Sequence, residues 1–205
     1  PGRGIPWLSH VVNILLYGLN GVLLYRILLG LFPAGERKWW LGTAFFGALI
    51  FIFHPLHSEA VANIKGRDEI LALMGSLGAL YATMKYFDRP HTGWLALSGV
   101  SFLLGLFAKE NTLTFLAVIP FTVWFFGRVS AGRALAASWP LMVAALVFII
   151  VRYNALGYML DHGKAVRDLM NDSFLGMTGG ERLATISLTL GWYLKLLLAP
   201  FPLTH

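Results

Sequence analysis

Apolar and polar stretches alternate along this chain at the spacing of membrane helices. Apolar runs extend from about Trp7 to Leu31, Trp39 to Phe53, Ile70 to about Phe87, about Trp94 to Ala108, Leu113 to Phe126 and about Ala134 to Val151. The first reaches the ~20 residues a helix needs to cross a bilayer. The second is shorter and opens on Trp39 and Trp40, residues suited to the membrane interface. Glu181 to Ala199 is apolar again, interrupted by Arg182 and Lys195 and closed by Pro200 and Pro202. It reads as a seventh span or a partly embedded helix pair. The predicted fold class is therefore all-α, a polytopic transmembrane helical bundle with about six or seven spans. Residues 1–151 are expected to form the helical core. Residues 152–205 are expected to form an interfacial segment with a further hydrophobic helix, and Asp161, His162, Lys164, Arg167, Asp168 and Asp172 should face water there.

Two runs carry information about packing. His10, Asn13 and Asn20 fall on one face of the first predicted helix, so that face should look at protein rather than lipid. Ala72, Gly75, Ser76, Gly78, Ala79 and Ala82 make the third run rich in small residues, which permits close helix contact. Composition agrees with the pattern. The 205 residues are 57% hydrophobic and only 13% charged, against about a quarter charged in soluble domains. There is no cysteine, and so no disulfide framework or thiolate metal site. The net charge of +6 fits basic cytoplasmic turns at Arg37/Lys38, Lys85/Arg89 and Arg128/Arg133. It calls for no nucleic-acid partner. On this orientation, His54–Glu69, Lys109-Glu110 and the stretch after Arg152 share the outer face. The start at Pro1 and the end at His205 suggest a fragment of a longer protein.

The chemistry concentrates at His54-Pro-Leu-His-Ser-Glu-Ala-Val-Ala-Asn-Ile-Lys-Gly-Arg-Asp-Glu69, a polar segment between two apolar runs. Charge is costly in hydrocarbon, so this segment must lie at a water interface or line a cavity. A connecting turn needs no such density of ionisable groups. His54, His57 and Glu59 have the spacing of candidate metal ligands, but Pro55 disfavours a helix through His54. Contact with a polar substrate such as a sugar or phosphate is the preferred reading. Lys65 and Arg67 flank Gly66, an arrangement that suits phosphate. Asp68 and Glu69 open the third helix, where acids favour the helix dipole. Lys109-Glu110 ends the fourth run. Lys109 can serve as the cation for a lipid-linked phosphate, steadied by Glu110, or the two can simply neutralise each other. His10, His91 and His162 read as structural or solvated.

These motifs, with Ala108-Lys-Glu-Asn, Gly180-Glu-Arg-Leu-Ala-Thr and Tyr193-Leu-Lys-Leu-Leu-Leu-Ala-Pro-Phe-Pro-Leu-Thr-His, resemble the transmembrane and tetratricopeptide-repeat (TMTC) family and its bacterial relatives. Leu8-Ser-His-Val-Val-Asn-Ile-Leu-Leu-Tyr-Gly-Leu-Asn resembles the span after that family's first outer loop. The resemblance covers nearly all of the chain. It implies a C-type (GT-C) glycosyltransferase fold, related in its animal members to protein O-mannosylation. It further implies transfer of a sugar from a polyprenyl-phosphate donor to an acceptor protein or glycan, at the outer face of a membrane. A bacterial inner membrane is the expected location. His54, His57, Glu59 and Arg67 would lie in the second outer loop near the active site, and Lys109 and Glu110 near the donor phosphate. The family's catalytic acid lies before the position of Gly2, so none is assigned here, and this stretch alone is expected to be inactive. The lipid-linked sugar is the expected donor, and a need for a divalent cation stays open. Two other classes compete. A transporter or flippase predicts charge in mid-span, where only Lys195, Arg182 and Arg26 come near. A non-catalytic membrane scaffold carrying tetratricopeptide repeats predicts tolerance of changes at His57, Glu59 and Lys109.

Overall fold

The computed structural model describes residues 6–32, 42–127, 129–156, 174 and 176–198. Among them every regular element is helical, as the sequence predicts. The helices are α1 (Pro6–Leu31), α2 (Thr43–Phe53), α3 (Ser58–Ala62), α4 (Arg67–Asp88), α5 (Thr92–Ala108), α6 (Phe115–Gly127), α7 (Ala131–Ala137), α8 (Trp139–Leu156) and α9 (Gly179–Leu198). The chain divides into two compact units, Pro1–Arg152 and Tyr153–His205. Trp39, Trp40, Arg37, Lys38, Arg128, the acidic and basic positions from Asp161 to Asp172, and Pro200 and Pro202 lie outside the described residues.

Helix α4 is the axis of the first unit. Its first turn carries Asp68 and Glu69 and its last carries Lys85, the polarity that complements the helix dipole. It packs most extensively against α5, then against α1. The small residues decide how close α5 comes. A Cβ on Gly75 would lie 2.6 Å from both the Gly105 Cα and the Ser101 carbonyl oxygen, so only glycine fits that crossing. Ser76, Ala79, Ala82 and Thr83 are buried along the same seam. The Thr83 and Ser98 hydroxyls meet at 2.8 Å, and Ser98 also donates to the Ala79 carbonyl at 3.1 Å. Leu77, Leu80, Phe102, Leu106, Ile119 and Leu141 close the core around this contact. His91 caps α5, accepting the Gly93 N–H at 3.0 Å, which gives that histidine a structural role.

The outer surface of the helices is apolar. Leu15, Val22, Ile50, Val100, Leu104, Phe125 and Leu146 are all exposed, far more apolar surface than a soluble monomer presents. Helix α1 from Trp7 and helix α4 are each long and apolar enough to cross a membrane. Two bent pairs raise the number of candidate spans to four if each pair is one span: α2 with Pro55–Ala62, bent by 49°, and α7 with α8, bent by 45°. Among the described residues, then, two to four spans pass, and α5 is apolar but shorter. The α7–α8 bend falls inside the single run expected from Ala134 to Val151. Pro140 has no N–H to give the Ala136 carbonyl, and the Ser138 N–H turns to the Leu135 carbonyl at 3.0 Å while the Ser138 hydroxyl donates to the Ala134 carbonyl at 2.9 Å.

In the second unit, α9 begins with a capping box. Glu181 accepts from the Thr178 N–H at 2.8 Å and the Thr178 hydroxyl at 2.9 Å. The two cations that interrupt its apolar run lie on aromatic faces, Arg182 over Phe174 at 4.9 Å and Lys195 over Trp192 at 4.7 Å.

Candidate functional site

The site begins where α2 stops. Pro55 keeps His54 out of the helical region, and His54 is extended at φ −67°, ψ 125°. The His54 Nδ1 accepts the Leu56 N–H at 3.3 Å, starting a 3-10 turn over Pro55–His57. The Ser58 hydroxyl donates back to the Pro55 carbonyl at 2.7 Å, and α3 follows. Asn63 is extended again, and its Oδ1 accepts the Lys65 N–H at 3.0 Å to start a second turn over Ile64–Gly66. Gly66 is required by its own chain. A Cβ there would lie 2.3 Å from the Ala60 carbonyl oxygen. The residue read in the sequence as leaving room for a phosphate thus leaves room for the backbone of α3.

Helix α1 holds this segment in place with one polar face. The Asn13 amide donates to the Val61 and Asn63 carbonyls at 3.3 and 3.1 Å, and the Tyr17 hydroxyl lies 3.1 Å from the Phe51 carbonyl oxygen. Asn20 donates to the Ile70 carbonyl at 2.9 Å. Asn13 and Asn20 are fully buried, so the face marked by polar residues in the sequence does look at protein. Arg67 joins the same clasp. Its Nε donates to Asn13 Oδ1 at 3.0 Å and its Nη2 to the Ser9 carbonyl at 3.3 Å.

Between these elements lies a cavity of about 520 Å³. Tyr17 lines it from α1, and Leu56, His57, Glu59 and Ala60 from the first turn and α3. Asn63, Lys65, Gly66, Asp68, Glu69, Ile70 and Leu73 continue the wall through the second turn into α4, and Lys109 closes it from the end of α5. The His57 ring packs 4.4 Å from the Phe51 ring and 5.7 Å from the Tyr17 ring, centre to centre. Lys109 is extended at the C-cap of α5, forms an ion pair with Glu69, and lies 3.8 Å from Asp68. The hydrogen bond to Glu69 pushes the Lys109 pKa above the ordinary lysine value. Partial desolvation opposes this, and the charges of Glu69, Asp68 and Glu110 add to it.

The structure therefore brings His57, Glu59 and Lys109 to one cavity. His54 stands beside them, its ring 6.0 Å from that of His57, but it does not line the wall. Arg67 is turned onto α1. Glu110 does not steady Lys109 by direct contact. It pairs with Arg152, and the groups that touch Lys109 are the acids of α4. Among the described residues no three His, Asp or Glu side chains gather closely enough to hold a metal ion, so His54, His57 and Glu59 do not form the ligand set their spacing suggested. The sequence places Asp68 and Glu69 in the polar segment and gives at least one of them the helix dipole as its role, and it assigns none to Tyr17 and Asn63. Tyr17 had a signal: it lies four residues beyond Asn13 and three before Asn20, on the same helical face.

Chemically the cavity has two characters. Two rings and a carboxylate (Tyr17, His57 and Glu59) suit a hydroxyl-rich group, because the carboxylate accepts hydrogen bonds and the rings offer flat faces. The ammonium groups of Lys65 and Lys109 suit an anion.

Fold and surface together define a helical integral membrane protein with a charged, partly aromatic cavity among its helices. Its sequence is similar to that of protein O-mannosyl-transferases. It is 32% identical to TMTC2 of Homo sapiens over 139 residues, 63% of this chain and 16% of that protein. It is 31% identical to TMTC2 of Mus musculus over 136 residues, again 63% and 16%. Against TMTC1 of Homo sapiens the identity is 38% over 124 residues, 55% of this chain and 13% of that protein. The chain thus spans about a sixth or less of the length of these relatives. No family model matches it, and no solved structure matches it.

Proposed function

We propose that this chain is part of a membrane glycosyltransferase of the GT-C type, O-mannosyltransferase-like. Such an enzyme moves a sugar from a polyprenyl-phosphate donor to an extracytoplasmic acceptor protein or glycan. In this reading the bundle has six or seven spans, and the cavity faces the outer side of a bacterial inner membrane. The observation that carries the proposal is the meeting of Lys109 with His57 and Glu59, which lie far earlier in the chain, on one cavity wall. Similarity to proteins named protein O-mannosyl-transferases supports it.

The chemistry follows from the two characters of the cavity. The glycosyl group lies against Tyr17, His57 and Glu59. The phosphate lies toward Lys109. The acceptor hydroxyl attacks the anomeric carbon, the bond from that carbon to the phosphate oxygen breaks, and the lipid phosphate departs with the electron pair. Lys109 stabilises the charge that grows on that phosphate. The base that takes the acceptor proton is an acid N-terminal to Gly2, as the family resemblance implies.

The test is Lys109→Met in the full-length protein, assayed for transfer from a polyprenyl-phosphate mannose. Loss of one such charge-stabilising group should lower turnover about 100-fold. Unchanged transfer would exclude the proposed role.

A further inference from the structure

Of the two cations on this cavity, Lys109 is not loose. We infer, resting on the donor-site reading above, that Asp68 and Glu69 are positioning residues that hold the Lys109 ammonium at the cavity wall, where the donor phosphate meets it.

Lys109 carries its charge just beyond the end of α5. Its side chain is a long flexible stem with a strongly hydrated point charge, which by itself has no preferred position. Lys109 leaves α5 at an extended residue, immediately beyond the helix end, so no preceding helical turn fixes its direction. The fixing comes from the facing helix. Glu69 contacts the ammonium and Asp68 stands 3.8 Å away, both on the first turn of α4. Asp68 is itself held, because its Oδ1 accepts the Glu69 N–H at 2.8 Å. That turn is anchored by Arg67 on Asn13 and by Ile70 on Asn20, and α4 is the helix most extensively packed in this unit. An ammonium has three N–H donors. The contact with Glu69 engages one of them and leaves others for a ligand.

A plain stabilising role is a weak alternative. All three side chains are a third to nearly half exposed (32%, 38% and 45%), and ion pairs that exposed contribute little to stability. All three nevertheless line the same cavity. The other charged groups near Lys109 are Glu59 and Lys65 on that cavity and Glu110, which is occupied by Arg152. The imidazole of His57 lines the same wall.

The experiment uses the purified full-length protein and a polyprenyl-phosphate mannose. Donor KM, kcat and the alkaline limb of the pH profile are measured for the native protein, Glu69→Gln, Asp68→Asn and Lys109→Met. Losing a charge-assisted partner of Lys109 should raise the donor KM about tenfold in Glu69→Gln, and by less in Asp68→Asn. The alkaline limb should also move to lower pH. Glu69 keeps Lys109 charged, so the interaction is fully present below the ordinary lysine pKa and is lost only as pH rises through the raised value. Removing Glu69 brings that loss closer to neutrality. If Lys109→Met is impaired while Glu69→Gln keeps the native KM and the native limb, the positioning role is overturned and the donor-site reading stands. If Lys109→Met transfers normally, both are overturned. Should Glu69→Gln fail to fold, Glu69→Asp keeps the charge and draws it back by one methylene. It should show the same KM increase, and a native KM in that variant overturns the inference.

Discussion

The α4–α5 seam and the polar segment from His54 to Glu69 are built in opposite ways. The seam is buried and close. Gly75 and Gly105 let two backbones touch, and its polar contacts are short hydroxyl bonds such as Thr83 to Ser98. The polar segment consists of short turns with little buried apolar surface, and side chains from distant α1 hold it by its carbonyl groups. Small residues stabilise the first through backbone approach, and a few amides and one guanidinium stabilise the second. A rigid seam beside a segment held at a few points is a sound arrangement for a site. The seam fixes where α4 begins, and the segment presents its side chains to the cavity.

Three substitutions test this contrast. The largest effect is expected from Gly75→Leu, which drives a side chain into the Gly105 backbone. Overpacking there should cost on the order of 3 kcal/mol, seen as lowered thermal stability of the purified protein in detergent. Second is Asn13→Leu. It takes the Asn13 partner from the Val61 carbonyl and the Arg67 Nε and leaves the Asn63 carbonyl with the Gly66 N–H alone, at a cost of about 2 kcal/mol. Limited proteolysis or hydrogen exchange should show residues 58–66 opening while the α4–α5 seam stays protected. Equal loosening of both regions would mean that the two are not separately supported. The smallest effect is expected from Thr83→Val, about 0.6 kcal/mol, the usual size of such a bond between membrane helices. A double-mutant cycle with Ser98→Ala should return that coupling, and zero coupling would place the whole stability of the seam in its packing.

The seam was legible in the sequence because small residues at helical spacing have one structural use. Ala72, Gly75, Ser76, Ala79 and Ala82 announce a close contact before any partner is known. The polar face of α1 was legible for the same reason, since Asn13 and Asn20 in an apolar run must bond protein. Site membership was less so. His57, Glu59 and Lys109 were named and are together, whereas Arg67 had the same chemistry as a phosphate ligand and is spent on Asn13 and Ser9. Glu110 was paired with Lys109 by adjacency, but neighbouring residues at a helix end diverge, and Glu110 finds Arg152 instead. The bend at Ser138 was hidden inside one apolar run, because hydropathy does not register a missing N–H.

The features that follow from the residues alone are local: apolar helices, two of the described ones long enough to cross a bilayer, a charged segment between two helices, small residues along α4 and polar ones along α1. These follow from the cost of bare polar groups in hydrocarbon and from the 3.6-residue period, neither of which needs a partner. Which acid faces Lys109, which arginine becomes a clamp and which tyrosine reaches the cavity were decided only by tertiary structure. Charge attraction is long-ranged and blind to sequence. The choice among several nearby carboxylates is made by the rotation and crossing of packed helices, which bring the first turn of α4 to the end of α5.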